Sequence, residues 1–155
     1  MPWLTGSIDD KPEGTEGEDR LIASLEAFET PVNHIIFHQG WVFAASAENI
    51  VAVDFDPSTG EFGGGGKAYI GHQDYVRGMG FIGSQGEKML SVSDDKTAIE
   101  WDVATTQTEA GAQLHNDLIM AMALTDDRSA LFTGCEDGSI RHWPLPLPRA
   151  APSEN

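Results

Sequence analysis

The sequence predicts an all-β protein made of about three repeated four-stranded antiparallel units, and three observations carry that expectation. Short apolar runs rich in β-branched and aromatic residues recur between Leu21 and Trp143, broken by Gly, Asn, Asp and Pro, which is the pattern of strands and turns. His115 follows His72 by 43 residues and Trp143 follows Trp101 by 42, so two independent landmarks share one period. A tight acidic turn, Asp94-Asp95 in one repeat and Glu136-Asp137-Gly138 in the next, separates the second and third runs of each.

Residues 71–114 form the clearest repeat. Gly71-His72 opens it, and strands follow over Val76 to Ile82, up to Ser91-Val92-Ser93, and through Ile99 and Trp101 to a closing Asp102, with an outer strand over Thr106 to Leu114. Residues 115–143 repeat the pattern with Ile119 to Thr125, Ala130 to Cys135 and Ile140 to Trp143. The preceding stretch, 21–70, keeps the apolar pattern in LIASLEAF, Val32 to His38, Trp41 to Ser46 and Ile50 to Phe55 but loses the polar signature. Ala27-Phe28 stands in place of Gly-His, Ala47-Glu48-Asn49 in place of the acidic turn, and Val53-Asp54 in place of Trp-Asp.

A Gly-His at one end, a Trp-Asp at the other and a period near 42 residues resemble the WD-repeat family, in which each repeat supplies one four-stranded blade of a β-propeller. The resemblance is strong over 71–143 and weaker over 21–70. Each blade takes roughly 40–45 residues, so 155 residues hold at most three. Closed propellers have typically 4–8. The resemblance therefore implies a partial propeller, or one completed by association. The third blade ends without an outer strand, and in closed members of the family the amino terminus supplies one, a task for which LIASLEAF is available.

Outside the blades, residues 1–20 are rich in Gly, Pro and acids and hold too few apolar groups to offset chain entropy, which predicts a disordered acidic arm. Residues 144–155, PLPLPRAAPSEN up to Asn155, read as an extended Pro-rich tail that lacks PxxP spacing. Nine Lys+Arg against 25 Asp+Glu give a net charge of −16. That charge repels nucleic acid and anionic membrane surfaces and attracts basic proteins or peptides. No apolar run reaches the length of a membrane span. The amino terminus lacks the basic and apolar regions of a secretory signal, and the single Cys135 permits no internal disulfide. Together these predict a soluble intracellular protein of the cytoplasm or nucleus.

Two features invite a ligand and fail. His34 and His38 are four apart on an expected strand, which only places them on one face, with no further ligand at metal-binding spacing. Gly63 to Gly66 with Lys67 resembles a phosphate loop, but Glu61 stands where the first Gly is required and Ala68 where Ser or Thr is required. The glycines read instead as a flexible insertion in the outer part of the blade. No metal and no cofactor is expected.

In the family, His, Ser or Thr, Asp and Trp form a hydrogen-bonded tetrad in each blade. The matching positions are His72, Ser91, Asp95 and Trp101, and then His115, Thr133, Asp137 and Trp143, with Leu114 replacing the usual Gly. These are also the residue types of a hydrolase triad. An active site needs one copy and an accessible nucleophile, whereas a buried clamp is needed once per blade, so the sets read as structural and no catalytic residue is assigned. By the same resemblance, partner contacts fall on one face of the blades, at Gln73, Tyr75 and Asp94 and at Asn116, Leu118 and Glu136. An exposed Tyr among acids suits a Lys- or Arg-bearing peptide.

Glu100 and His142 depart from the pattern, standing where the family carries Leu or Val. A carboxylate between packed blades implies either that this side of the blade is wet or that a partner supplies a counter-charge. The functional expectation is a non-catalytic scaffold within a multiprotein assembly, with protein partners, acting as a homo-oligomer or completing another protein's propeller. The alternatives are a truncated fragment without independent function, or a reader of basic peptides.

Overall fold

In the computed structural model, residues 8–9 and 23–148 are described. They form an all-β structure of thirteen strands in four antiparallel sheets. Strands β1 (Ile8–Asp9) and β2 (Ser24–Leu25) make a two-residue ladder. Strands β3 (Val32–His38), β4 (Trp41–Ser46), β5 (Asn49–Asp56) and β6 (Glu61–Tyr69) form the first blade in sequence order. Strands β7 (Val76–Ile82), β8 (Lys88–Ser93), β9 (Thr97–Asp102) and β10 (Thr108–Gln113) form the second. The third blade has only β11 (Ile119–Leu124), β12 (Ala130–Cys135) and β13 (Ile140–Pro144). The expectation of three four-stranded blades is thus met in two, and the third is three-stranded.

Each strand alternates faces, and the blades stack through those faces. Phe43, Ala45, Ile50 and Ala52 of the first blade pack on Met79, Phe81, Met89 and Trp101 of the second. Leu90, Val92 and Ala98 of the second pack on Ile119 and Leu131 of the third. The inner strand of every blade carries a β-bulge near its start, between Val32 and His34, Val76 and Gly78, and Ile119 and Ala121. Such a bulge re-aims one side chain per strand. The blades also register end to end, since the Val76 N–H donates to the Ala47 carbonyl in the β4–β5 turn at 2.9 Å.

Several sequence expectations are corrected here. Among the described residues LIASLEAF does not pair with the third blade: Ser24 and Leu25 form β2, which pairs with β1. The glycines 63–66 are not an inserted loop but part of outer strand β6, where Val53 pairs with Gly66 and Phe55 with Phe62. The extra residues of this wide bulge wrap the Asp54 carboxylate, which accepts the Gly65 N–H at 2.8 Å, and a Cβ at Gly63 would collide with it. The acidic arm lies outside the described residues except for Ile8–Asp9, which are strand rather than coil. The start of the Pro-rich tail is no free extension, because Leu147 is buried in the seam between the second and third blades, with Leu145 packed alongside.

Candidate functional site

The second blade assembles all four of its marked residues. The indole N–H of Trp101 donates to Ser91 Oγ at 2.8 Å, Ser91 Oγ lies 2.7 Å from His72 Nε2, and His72 Nδ1 lies 2.8 Å from Asp95 Oδ2. One assignment satisfies every atom: the hydroxyl donates to Nε2, and Nδ1–H donates to the carboxylate. Asp95 also accepts from the Gln73 N–H at 3.0 Å and the Thr97 N–H at 2.9 Å, which ties the turn to the loop before β7. Gly71 leaves room for the indole, because a Cβ there would come within 2.9 Å of Trp101.

In the third blade the chain of contacts is shorter. His115 Nε2 meets Thr133 Oγ1 at 2.6 Å, and the Trp143 N–H donates to that oxygen at 2.9 Å. Asp137, expected to bond the His115 ring, is instead exposed and accepts the Ser139 N–H at 2.8 Å. His115 Nδ1 is buried without a partner among the described residues. Leu114, buried where the second blade has Gly71, has its carbonyl taken by the Arg141 guanidinium at 2.8 Å. This set is therefore a triad of contacts and not the expected tetrad.

Both hydroxyls are fully buried: Ser91 and Thr133 have 0 % of their surface exposed. A nucleophile there meets no substrate and no oxyanion donor. What the arrangement does chemically is satisfy buried polar groups.

The two clamps respond differently to acid. Burial pushes the Asp95 carboxyl up, but hydrogen bonds from His72, Thr97 and the Gln73 N–H outweigh it and hold the group well below its usual 3.8. Burial, and then the Arg141 charge, push His115 below its usual 6.5. A depressed histidine loses its stabilising contribution as pH falls through the unfolded value, and a depressed carboxyl does so as pH falls below about 4. Urea midpoints are therefore expected to drop first below about pH 6.5 and again below about pH 4. Asp95→Asn should remove part of the second drop, the remainder coming from other carboxyls held low by hydrogen bonds, Asp127 and Asp137 among them. An unchanged acid limb in that variant would count against the assignment.

At the end of the blades that carries these turns, the structure groups Tyr75, Arg77 and Asp94. The Arg77 guanidinium donates to both Asp94 oxygens, Nε to Oδ1 at 2.8 Å and a terminal nitrogen to Oδ2 at 2.6 Å, and it lies 5.4 Å from the Tyr75 ring centroid. Asp94 is thereby buried and committed, not free for a partner as expected. Gln73, Tyr75, Asn116 and Glu136 are exposed and Leu118 is half-buried. The Glu136 N–H donates to the Leu118 carbonyl at 3.0 Å, as the Asp94 N–H does to Tyr75 at 2.9 Å, so both repeats present these residues at one end.

Arg77 and its counterpart Met120, 43 % exposed, were not among the expected contacts. Both occupy the bulge position of their inner strand. An arginine inside the apolar run Val76 to Ile82 was the available signal.

Between the inner strands β3, β7 and β11 runs an open groove of about 600 Å³, bordered by His34, Arg77, Met79, Met122 and Arg128. Gly78 and Gly80 admit the Met122 and Leu124 side chains against β7. His34 and His38 both border this groove, and His38 also stacks on Phe81 with centroids 3.9 Å apart and reaches the Gly86 carbonyl at 2.9 Å. His38 is thus a joint between the first two blades. No group of three or more His, Cys, Asp or Glu that could hold a metal occurs among the described residues.

Glu100 corrects both sequence alternatives. It is 2 % exposed, so that side of the blade is not wet. Its counter-charge comes from its own chain, with Lys88 Nζ 3.4 Å from Oε1, while Oε2 accepts the Leu147 N–H at 3.3 Å. Glu100 pairs with Leu90 in the ladder, and Lys88, two residues before Leu90, shares its face. His142, at the matching place in the third blade, is exposed and stacks on Phe132.

Comparison with known proteins agrees with this architecture. The family model described as "WD domain, G-beta repeat" matches residues 112–144. The chain is 35 % identical over 60 residues to a guanine nucleotide-binding protein subunit beta of Schizosaccharomyces pombe, covering 39 % of this chain and 20 % of that protein. It is 32 % identical over 82 residues to coronin-7 of Mus musculus, covering 50 % of this chain and 9 % of that protein. The chain thus spans a fifth or less of the length of these curated relatives.

Proposed function

We propose that this chain, whose residues 112–144 match the WD domain, G-beta repeat model, holds protein partners within a larger assembly through the blade end around Tyr75, as such repeats serve in general as protein-interaction scaffolds. The observation that carries this reading is the pairing of buried clamps, the second blade's fully hydrogen-bonded, with an exposed end bearing Tyr75, Gln73, Asn116 and Glu136. The polar chemistry is spent on rigidity, and the exposed end is what remains for recognition. One relative is by name a subunit of a larger protein, which supports an assembly role.

The partner chemistry we infer is a basic peptide. Asp74, Glu136 and Asp137 are exposed at that end, in a chain of net charge −16. Arg77 fixes Tyr75 and Asp94 as a rigid post, while the outlying acids remain for Lys or Arg side chains. No helix among the described residues is long and apolar enough to cross a membrane.

Fluorescent Lys/Arg-rich peptides titrated against the full chain provide the test. Binding should weaken at least tenfold between low and physiological salt, and Tyr75→Ala with Glu136→Ala should weaken it at least tenfold more. Absence of binding at low salt, or binding indifferent to these substitutions, would refute the basic-peptide reading.

A further inference from the structure

The seam between the second and third blades is plugged at a place where the seam between the first and second is open. The Val103 N–H donates to the Glu87 carbonyl at 3.0 Å and the Leu145 N–H to the Ser129 carbonyl at 2.9 Å, so Leu145 stands in the place of Val103, at the 42-residue offset that relates Trp143 to Trp101. By that offset Pro144 replaces Asp102 and Leu147 replaces Thr105. Asp102 Oδ1 accepts the Thr105 N–H at 2.7 Å and its hydroxyl at 2.9 Å, which folds Thr105 back on an exposed turn. Pro144 offers no such acceptor. Leu147 instead enters the seam, where it joins Ile82, Ala110 and Leu145 in one apolar cluster and donates its N–H to Glu100.

Strand register locates the same place one seam earlier. Ala52 pairs with Phe43 and Lys67 as Glu100 pairs with Leu90 and Ala110, and Trp41 faces His38 as Lys88 faces Ile82. His38, Lys67 and Val103, the counterparts of Ile82, Ala110 and Leu145, border a cavity of about 250 Å³. That is below the range of about 300–1,000 Å³ for drug-sized ligands, and suits one or two side chains. Trp41 supplies an indole wall, with Lys67 Nζ 4.6 Å from its centroid. The Tyr69 hydroxyl fixes another wall by donating to the Val103 carbonyl at 2.6 Å. The cavity lies by the β7–β8 and β9–β10 turns, at the end of the strands opposite the β8–β9 turn that carries Asp94.

We infer that this cavity is a socket for a leucine flanked by prolines, supplied by an uncharged proline-rich segment of a partner protein, and distinct from the Tyr75 end. The chain's own Leu145-Pro146-Leu147-Pro148 defines the chemistry, because it fills the equivalent place and is committed there. Proline-rich segments dock on aromatic-lined grooves, and Trp41 provides an aromatic face where the other seam has Lys88. The polar anchor changes to match. Glu100, which takes an N–H, is replaced by Ala52, while the Lys67 ammonium can donate to a backbone carbonyl, the one polar backbone group that proline keeps. Glu87 and Asp102 at the border disfavour an acidic occupant.

A capped, uncharged PLPLP peptide titrated into the isotope-labelled full chain, followed by the indole N–H resonances in nuclear magnetic resonance spectra, tests this. Trp41, assigned with Trp41→Phe, should shift saturably, with a midpoint little changed between low and physiological salt, unlike that of the basic peptides. Ala104→Phe places a ring at an exposed border position of the cavity, and Lys67→Ala removes the ammonium. Each should weaken binding at least fivefold, and replacing both leucines of the peptide with asparagine should abolish it. If Ala104→Phe fails to fold, Lys67→Ala carries the test. A Trp41 resonance unmoved at millimolar peptide, a shift confined to Trp143 in the other seam, or binding indifferent to the folded variants would overturn the proposal.

Discussion

Replacing Trp101 with alanine is expected to cost about 3–5 kcal/mol, the range for truncating a large aromatic in a packed core. The side chain is 1 % exposed and meets the Tyr69 ring edge to face at 5.8 Å between centroids. It also donates the hydrogen bond that anchors Ser91. Its loss opens a cavity in the seam between the first two blades and strips one donor from the clamp. Domains of this kind hold only about 5–15 kcal/mol in total, so the variant should be marginally folded. Trp143→Ala should cost roughly half as much, because Trp143 is only half-buried and its clamp already lacks the carboxylate. Urea denaturation followed by far-ultraviolet circular dichroism measures both. Equal losses would mean that the completed tetrad and the outer strand add nothing.

Lys88→Met is expected to be the second most damaging change, at about 3 kcal/mol, because it strands the Glu100 carboxylate in the seam without a cation. Lys88 Nζ stands 3.4 Å from Glu100 and 2.8 Å from Glu109, so one ammonium serves two acids. Removing the buried charge itself should be milder. Glu100→Leu restores an apolar contact to the face that packs on Leu147, at the expense of one hydrogen bond to the Leu147 N–H. A net change within about 2 kcal/mol of wild type is expected. The pair separates two accounts of the site. If Glu100→Leu proved as harmful as Lys88→Met, the ion pair would be contributing stability outright and not offsetting desolvation.

Much of the fold was legible because it rests on local rules. Strand limits such as Val32–His38, Val76–Ile82 and Ala130–Cys135 follow from apolar runs bounded by turn residues. The residues of the second clamp follow from a period that repeats. Less legible was whether marked residues would meet. His115 and Asp137 have the same types and nearly the same spacing as His72 and Asp95, yet only the latter pair bonds. The third blade differs in carrying Leu114 where the second has Gly71, with the Leu114 carbonyl taken by Arg141 from a distant strand. Glu100 and Lys88 show the converse. Their shared face was available from strand register, but that register depends on which residues pair across the β8–β9 turn.

By itself the sequence determined the class of object: repeated antiparallel blades, buried polar clamps and an acidic surface, all of which depend on residue type and on short-range spacing. Only the tertiary structure decided that Leu147 is buried in a seam between blades, that β6 absorbs the glycines, that Asp94 is committed to Arg77, and that β13 is an edge strand among the described residues. Those outcomes turn on contacts between segments far apart in the chain. Loop-closure entropy and mutual packing choose among such contacts, and no local pattern encodes the choice.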